Sequence, residues 1–450
     1  MRYFDFKKHG DKLLFALALA VLAATMLRFE GKKEIPVIPA PAVAPNVVFT
    51  QWWQDHFEED VLGILIEEFE SLHGNIKIVL DYKPYEELRS LLFGNIDANE
   101  IAINSNGAYP GDILTLDPLW VPELRKNEIA ESDGVPLLSF INVLFYNVEI
   151  LKEAGYSRPP KSRGEFINYA RAVTTKMKNR AGGAGGNTDN SQNSSDGSAL
   201  GFALAEDSSR GIYDDVYPWI WSAGAQLIKD GKPIINSRQV VESLSFLASL
   251  NKEGIISRDA FATDTGKKYE DFITGKTAFM IAPSSCIKLL REHMGDEAFG
   301  ITSVPLPDNY AGTTYYAAGA WTTGIHSTSA LKEEARLFAA FLAEKAPFIA
   351  AEAKAVPGTG APVSAANDPF YSKAWDIVIA GESAPDFILL SGDPEARTLQ
   401  SLDQMSVNLL PIYELEKIFR EELSSLFEEE TSPANAAASI QEKWETIIKN

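Results

Sequence analysis

Apolar residues recur along the chain with two alternating periods. Val47, Val48 and Phe49 read as a strand, and residues 58–72 then repeat Val61, Leu62, Leu65, Phe69 and Leu72 at helical spacing, with Gly74 as the stop. Ile76, Ile78 and Leu80 alternate as a second strand, 84–92 predicts a second helix, and 112–116 a third strand. Val143, Leu144, Phe145 and Tyr146, closed by Asn147, suit a strand buried on both faces. Asn147 can cap the helix that follows, and Gly155 stands where that helix would end in a left-handed residue. After Pro159 and Pro160, Ser162 and Glu165 form an S-x-x-E capping box that opens another helix. Helical patterns return at 238–251, 331–345 and 415–426, and a last helix starts with Ser432 as cap and Pro433 in its first turn. Strands alternating with helices predict parallel sheets in an α/β fold.

At 450 residues the chain exceeds what one hydrophobic core supports, so two domains are expected. Residues 1–28 have the make-up of a signal peptide or an uncleaved membrane anchor. Arg2, Lys7, Lys8 and Lys12 precede an apolar run from Leu13 to Leu27, and Val21 and Ala23 suit a small-x-small cleavage site. Residues 29–45 are a Pro-rich linker, and the Gly/Asn/Ser-rich stretch 181–198 cannot bury apolar area, which makes it a flexible insertion.

The net charge of −21 favours solubility, argues against a nucleic-acid partner, and disfavours an anionic small ligand. Cys286 is the lone cysteine, which excludes an internal disulfide, a Cys-based zinc cluster and an N-terminal lipoprotein anchor. The five histidines have no metal spacing, and no cofactor motif occurs. Gly275-Lys276-Thr277 ends like a P-loop, but Glu270 stands where that loop needs glycine. No G-x-S-x-G is present, and no pair of carboxylates stands out as acid and base, so no catalytic residue and no enzyme activity is expected.

Tryptophans carry more information. Trp375 and Trp444 lie in helical patterns and read as core, whereas Trp52, Trp53, Trp120, Trp219, Trp221 and Trp321 follow strands or flank glycine and proline. Ligands of α/β sheets bind at loops beyond the carboxyl ends of strands. Sugars lay apolar C–H faces on flat rings and direct hydroxyls to Asp, Asn, Gln and Ser. Gln51 precedes Trp52, Asp117 precedes Trp120, and Tyr217 precedes Trp219, so each ring has a hydrogen bonder beside it.

The order Tyr146-Asn147, then Ile150-Leu151-Lys152-Glu153-Ala154-Gly155, then Pro160-Lys161-Ser162-Arg163-Gly164-Glu165-Phe166 resembles a signature of family 1 extracellular solute-binding proteins. These are the maltose-binding protein-like receptors of ABC importers. Phe272-Ile-Thr-Gly-Lys-Thr-Ala-Phe-Met280 and the A-x-x-F-x-x-F-L pattern at Ala335–Leu342 are similar to later elements of that family. The resemblance covers nearly everything after Asn46 and implies a two-lobed periplasmic-binding-protein fold of type II, hinged between the lobes. Lobe 1 would be 46–142 plus 320–355 and lobe 2 would be 143–319 plus 356–450, with the first crossing near Asn142.

Carried over residue by residue, the pocket would comprise Gln51, Trp52, Asp117 and Trp120 from one lobe. Tyr217, Trp219, Ser284 and Ser285 would come from the other, with Gly319 and Trp321 on a late loop. The implied function is capture of a sugar or oligosaccharide outside the cytoplasmic membrane by an exported monomer, and delivery to ABC permease subunits. A membrane-tethered ligand sensor and an exported carbohydrate-active enzyme are the alternatives. Ser162-Arg163 replaces the family's usual Thr-Trp, which keeps the cap and loses a packing residue.

Overall fold

The computed structural model describes residues 44–56, 60–93, 110–120, 123–124, 127–130, 135–182, 200–206, 210–229, 232–257, 259–312, 315–316, 318–345, 349, 370, 382–383 and 412–448. The expected leader and most of the linker, the insertion beyond Gly182, and Trp375 lie outside the described residues.

The first half follows the apolar periods closely. Strand β1 (Asn46–Gln51) pairs in parallel with β2 (Lys77–Tyr82) and with β3 (Ile113–Leu116). Helix α1 (Val61–Leu72) starts at Asp60, whose carboxylate accepts from the Gly63 amide at 3.0 Å, and buries Val61, Leu62, Leu65 and Phe69. Its stripe ends one turn earlier than expected, since Leu72 is 65% exposed. Helix α2 (Tyr85–Phe93) follows β2.

Strand β4 (Val135–Asn147) is the longest and runs through both halves of the sheet. Its first part pairs antiparallel with a late strand, and its second part, from Asn142, pairs antiparallel with two others. Asn147 ends it and caps α3 (Val148–Glu153), accepting from the Ile150 amide at 3.0 Å. Gly155 then takes φ +96°, which suits a residue without Cβ. Helix α4 (Arg163–Gly182) opens with Ser162 Oγ accepting from the Glu165 amide. The expected box is modified: Glu165 accepts from the Lys161 amide at 2.8 Å and pairs with Arg158.

Next come β5 (Leu200–Ala203), a π-helical turn (Ile212–Val216) and α5 (Tyr217–Ser222). Helices α6 (Arg238–Lys252) and α7 (Thr265–Ile273) precede β6 (Thr277–Pro283), and α8 (Ile287–Met294) precedes β7 (Phe299–Thr302). Strand β8 (Ala318–Ile325) inserts between β3 and β4, antiparallel to both, so the order is β2-β1-β3-β8-β4-β6-β5, with β7 also on β4. Helix α9 (Lys332–Glu344) returns to the first half, where Phe338 packs on Phe49 and Phe69. Helices α10 (Ile412–Phe427) and α11 (Pro433–Ile448) cover the second half. There Phe419 packs on Tyr217 and Trp444, and the Gln441 amide donates to the Pro233 carbonyl. The Asn435 amide donates to Ser432 Oγ at 3.2 Å, as a cap requires.

Candidate ligand-binding site

The carboxyl ends of β1 and β3 bring three aromatic rings together. Trp52 meets Tyr85 edge to face at 5.3 Å between centroids and lies 5.4 Å from Trp120, and Tyr85 is 4.8 Å from Trp120. Asp117 sits beneath them. One carboxylate oxygen accepts from the Leu119 amide at 2.8 Å, and the other accepts from the Tyr85 hydroxyl at 2.9 Å and from the Arg210 guanidinium. Burial, reinforced by Asp117, pushes the Tyr85 phenol well above its ordinary value.

Arg210 belongs to the other half of the sheet, just before the π-helical turn. Its guanidinium also forks onto both oxygens of Asp214, each at 3.0 Å, and lies 4.9 Å over the Tyr213 ring. Burial alone would lower its pKa, but Asp117 and Asp214 more than offset this, so its charge is held firmly. Asp214 accepts in addition from the Asn142 amide nitrogen at 2.8 Å, at the residue where β4 changes partners. A continuous polar chain therefore runs from Asn142 through Asp214 and Arg210 to Asp117.

The wider turn of the π-helix points two consecutive carboxylates inward. Behind Asp214, fully buried Asp215 accepts from Lys268 Nζ at 2.6 Å and from the Ala205 amide at 2.8 Å. Burial still raises the Asp215 carboxyl to about 6 despite Lys268.

Between the halves lies a cavity of roughly 30 Å³. Tyr85, Phe93, Trp120 and Glu123 wall one side, and Arg210, Tyr413 and Glu416 the other. Room for one or two waters excludes a sugar ring, so this is a closed cleft that must open to admit a ligand.

The expected site residues fare differently. Trp52, Asp117 and Trp120 come together. Gln51 is buried, and its carboxamide oxygen accepts from the Gln54 amide at 2.9 Å, which shapes the turn leading to Trp53. Trp219 is fully buried among Phe166, Phe202 and Phe246, and Tyr217 packs on Trp221 and Phe419. The tryptophans at 53, 219 and 221 thus all lie inside one hydrophobic core, Trp53 against Phe49; none of these three stands on an exposed loop. Ser284 and Ser285 are buried just after β6, and Gly319 and Trp321 lie within β8, opposite Phe140 and Leu138. Tyr85, Arg210, Asp214, Tyr413 and Glu416 were not anticipated. Arg210 and Asp214 do stand four apart on one helical face, a detectable ion-pair spacing.

Two halves of a sheet threaded on one strand, with an aromatic and charged cleft between them, define a two-lobed binding protein. The chain belongs to the bacterial extracellular solute-binding protein family, whose model matches residues 48–347. A comparison with curated proteins gives no significant match. Solved structures agree on the fold. The GacH receptor of Streptomyces glaucescens GLA.O, solved unliganded and with acarbose, is 17% identical with a TM-score of 0.66, over 90% of this chain and 98% of its own. Maltose-bound MalE3 of T. maritima is 17% identical with a TM-score of 0.64, over 89% and 99%. The MalE domain of Bdellovibrio bacteriovorus bound to maltotriose is 17% identical with a TM-score of 0.62, over 90% and 100%. Among the described residues, no helix is long and apolar enough to cross a membrane, and no group of three His, Cys, Asp or Glu could hold a metal ion.

Proposed function

We propose that the chain captures a sugar or oligosaccharide outside the cytoplasmic membrane and delivers it to the permease of an ABC importer, without making or breaking a bond. The observation that carries this is the Trp52–Tyr85–Trp120 cluster at the strand ends, of which Tyr85 and Trp120 line the closed cleft together with Arg210 and Glu416. Flat rings take the C–H faces of a sugar, and buried carboxyls orient its hydroxyls. The acarbose, maltose and maltotriose complexes of the structural neighbours support the same class of ligand.

Binding would be strongest when both lobes touch the ligand, so closure and affinity are linked. Titrating the protein with maltose, maltotriose and a wider saccharide library, read by tryptophan fluorescence, tests this. At least one saccharide should change the emission saturably, and Trp120→Ala should weaken that binding tenfold or more while the variant stays folded. Failure of every saccharide to bind, or turnover of one that does, would overturn the reading.

A further inference from the structure

Among the described residues, carboxyls outnumber cations on and behind the cleft. Six carboxyls stand there, those of Asp117, Glu123, Glu206, Asp214, Asp215 and Glu416, against the cations Arg89, Arg210, Lys268 and Arg420. Arg210 is taken by Asp117 and Asp214, and Lys268 by Asp215. Arg89, which acts on Glu123, lies over the Tyr413 ring at 4.6 Å and the Phe93 ring at 6.0 Å. Arg420 donates to the Phe261 carbonyl and sits on the Glu206 side of the cluster.

Among the described residues, Glu416 has no ion-pair partner of its own. It is 7% exposed, it lines the cavity, and its Oε1 has no hydrogen-bond partner. Burial pushes its carboxyl well above the usual range; Arg210 opposes this, and Asp214 and Glu206 add to it. The other walls include the rings of Tyr85, Phe93, Trp120 and Tyr413, and two of these rings already solvate the guanidinium of Arg89, which also lines the cavity. An unpaired buried carboxyl among aromatic rings is the surrounding that suits a cation, through both the ion pair and the ring quadrupoles.

An anionic sugar has little to bind here. Arg210 is already forked onto two carboxylates, Arg89 is held over the Tyr413 and Phe93 rings beside Glu123, and an anion offers Glu416 nothing to pair with. A neutral sugar would leave Glu416 having to keep a proton in order to stay buried. An ammonium group supplies the missing charge and the missing hydrogen bond together.

We propose that Glu416 is the recognition carboxyl for a saccharide bearing a protonated amine, with the ammonium group seated against Glu416 and the surrounding rings. This rests on the sugar-binding reading and narrows its ligand class.

The test uses the full chain and saccharides in matched pairs, in which one hydroxyl is replaced by an amine. Suitable pairs are glucosamine against glucose, the β-1,4 glucosamine trimer against cellotriose, and 6-amino-6-deoxymaltose against maltose. Affinities are measured by calorimetry and tryptophan fluorescence at pH 6.5, for the parent and for Glu416→Gln. In at least one pair the amine should bind the parent tenfold or more tightly than its hydroxyl partner, and this preference should fall below threefold in Glu416→Gln. Equal or tighter binding of the hydroxyl partner in every pair that binds would overturn the proposal, as would a preference that survives the substitution. If neither member of any pair binds, the sugar reading falls and this inference with it. Glu416→Gln removes an uncompensated buried acid and should melt no lower than the parent. Should it nonetheless fold poorly, the paired comparison in the parent decides.

Discussion

Glu206 lies 1% exposed behind the cleft, with neither carboxyl oxygen hydrogen-bonded, and burial followed by Asp215 raises its carboxyl to about 8. The folded chain therefore keeps a proton that the unfolded chain releases near its ordinary value of 4.5. Stability must then fall as pH rises through that window and level off above it. Glu206→Gln removes the titration, so its stability relative to the parent should improve by roughly 2–4 kcal/mol between pH 5 and pH 8. Urea melts at the two pH values check this, and an unchanged difference would refute it. Single residues were unevenly legible. The capping roles of Asn147, Ser162 and Ser432 follow from residue type and position. Trp219 misled because its neighbours Asp215 and Pro218 look like a loop. Ile212, Tyr213, Val216, Tyr217, Ile220 and Trp221, apolar on every side, are instead the signature of a helix sunk in a core.

At the level of elements, helices declared themselves by apolar stripes and a few caps, and strands only by what buries them. Asn147 both ends β4 and caps α3, so Asn147→Ala should cost about 1 kcal/mol through the orphaned Ile150 amide. Chemical denaturation measures it, and an unmoved midpoint would show that the cap contributes nothing. Only the 143–146 part of β4 was readable, because its apolar run is continuous. The earlier part carries Pro136 and Ser139 and pairs with β8 through a register shift between Trp321 and Thr322. Proline next to a bulge hides a strand from any periodicity, since that position contributes no ladder donor. The π-helical turn was equally hidden: one extra residue in a turn leaves no compositional trace, yet it aims Asp214 at the cleft and Asp215 at Lys268.

Over the whole molecule, the order of elements revealed two lobes, but the far wall of the cleft stayed out of reach. Trp120 shares the cavity with residues such as Arg210, Tyr413 and Glu416, which lie some 90 to 300 positions away in sequence, and no local pattern links them. The Asp117–Arg210 pair ties the two sides of the cleft in the closed form. Asp117→Asn should loosen that tie, giving the ligand-free protein a larger radius of gyration in small-angle scattering that returns toward the parent value when ligand binds; an identical radius would show the pair to be dispensable for closure. The late arrival of β8 bears on how the chain is born. Residues 318–325 fill the gap between β3 and β4, strands that leave the ribosome some 180 residues earlier. Until they appear, those two strands carry bare edges, the kind of surface that recruits other chains. Folding dominated by such distant pairings is slow. A nascent chain cut short before residue 318 therefore leaves the inner edges of two half-sheets open, and stays exposed to such recruitment until residues 318–325 emerge.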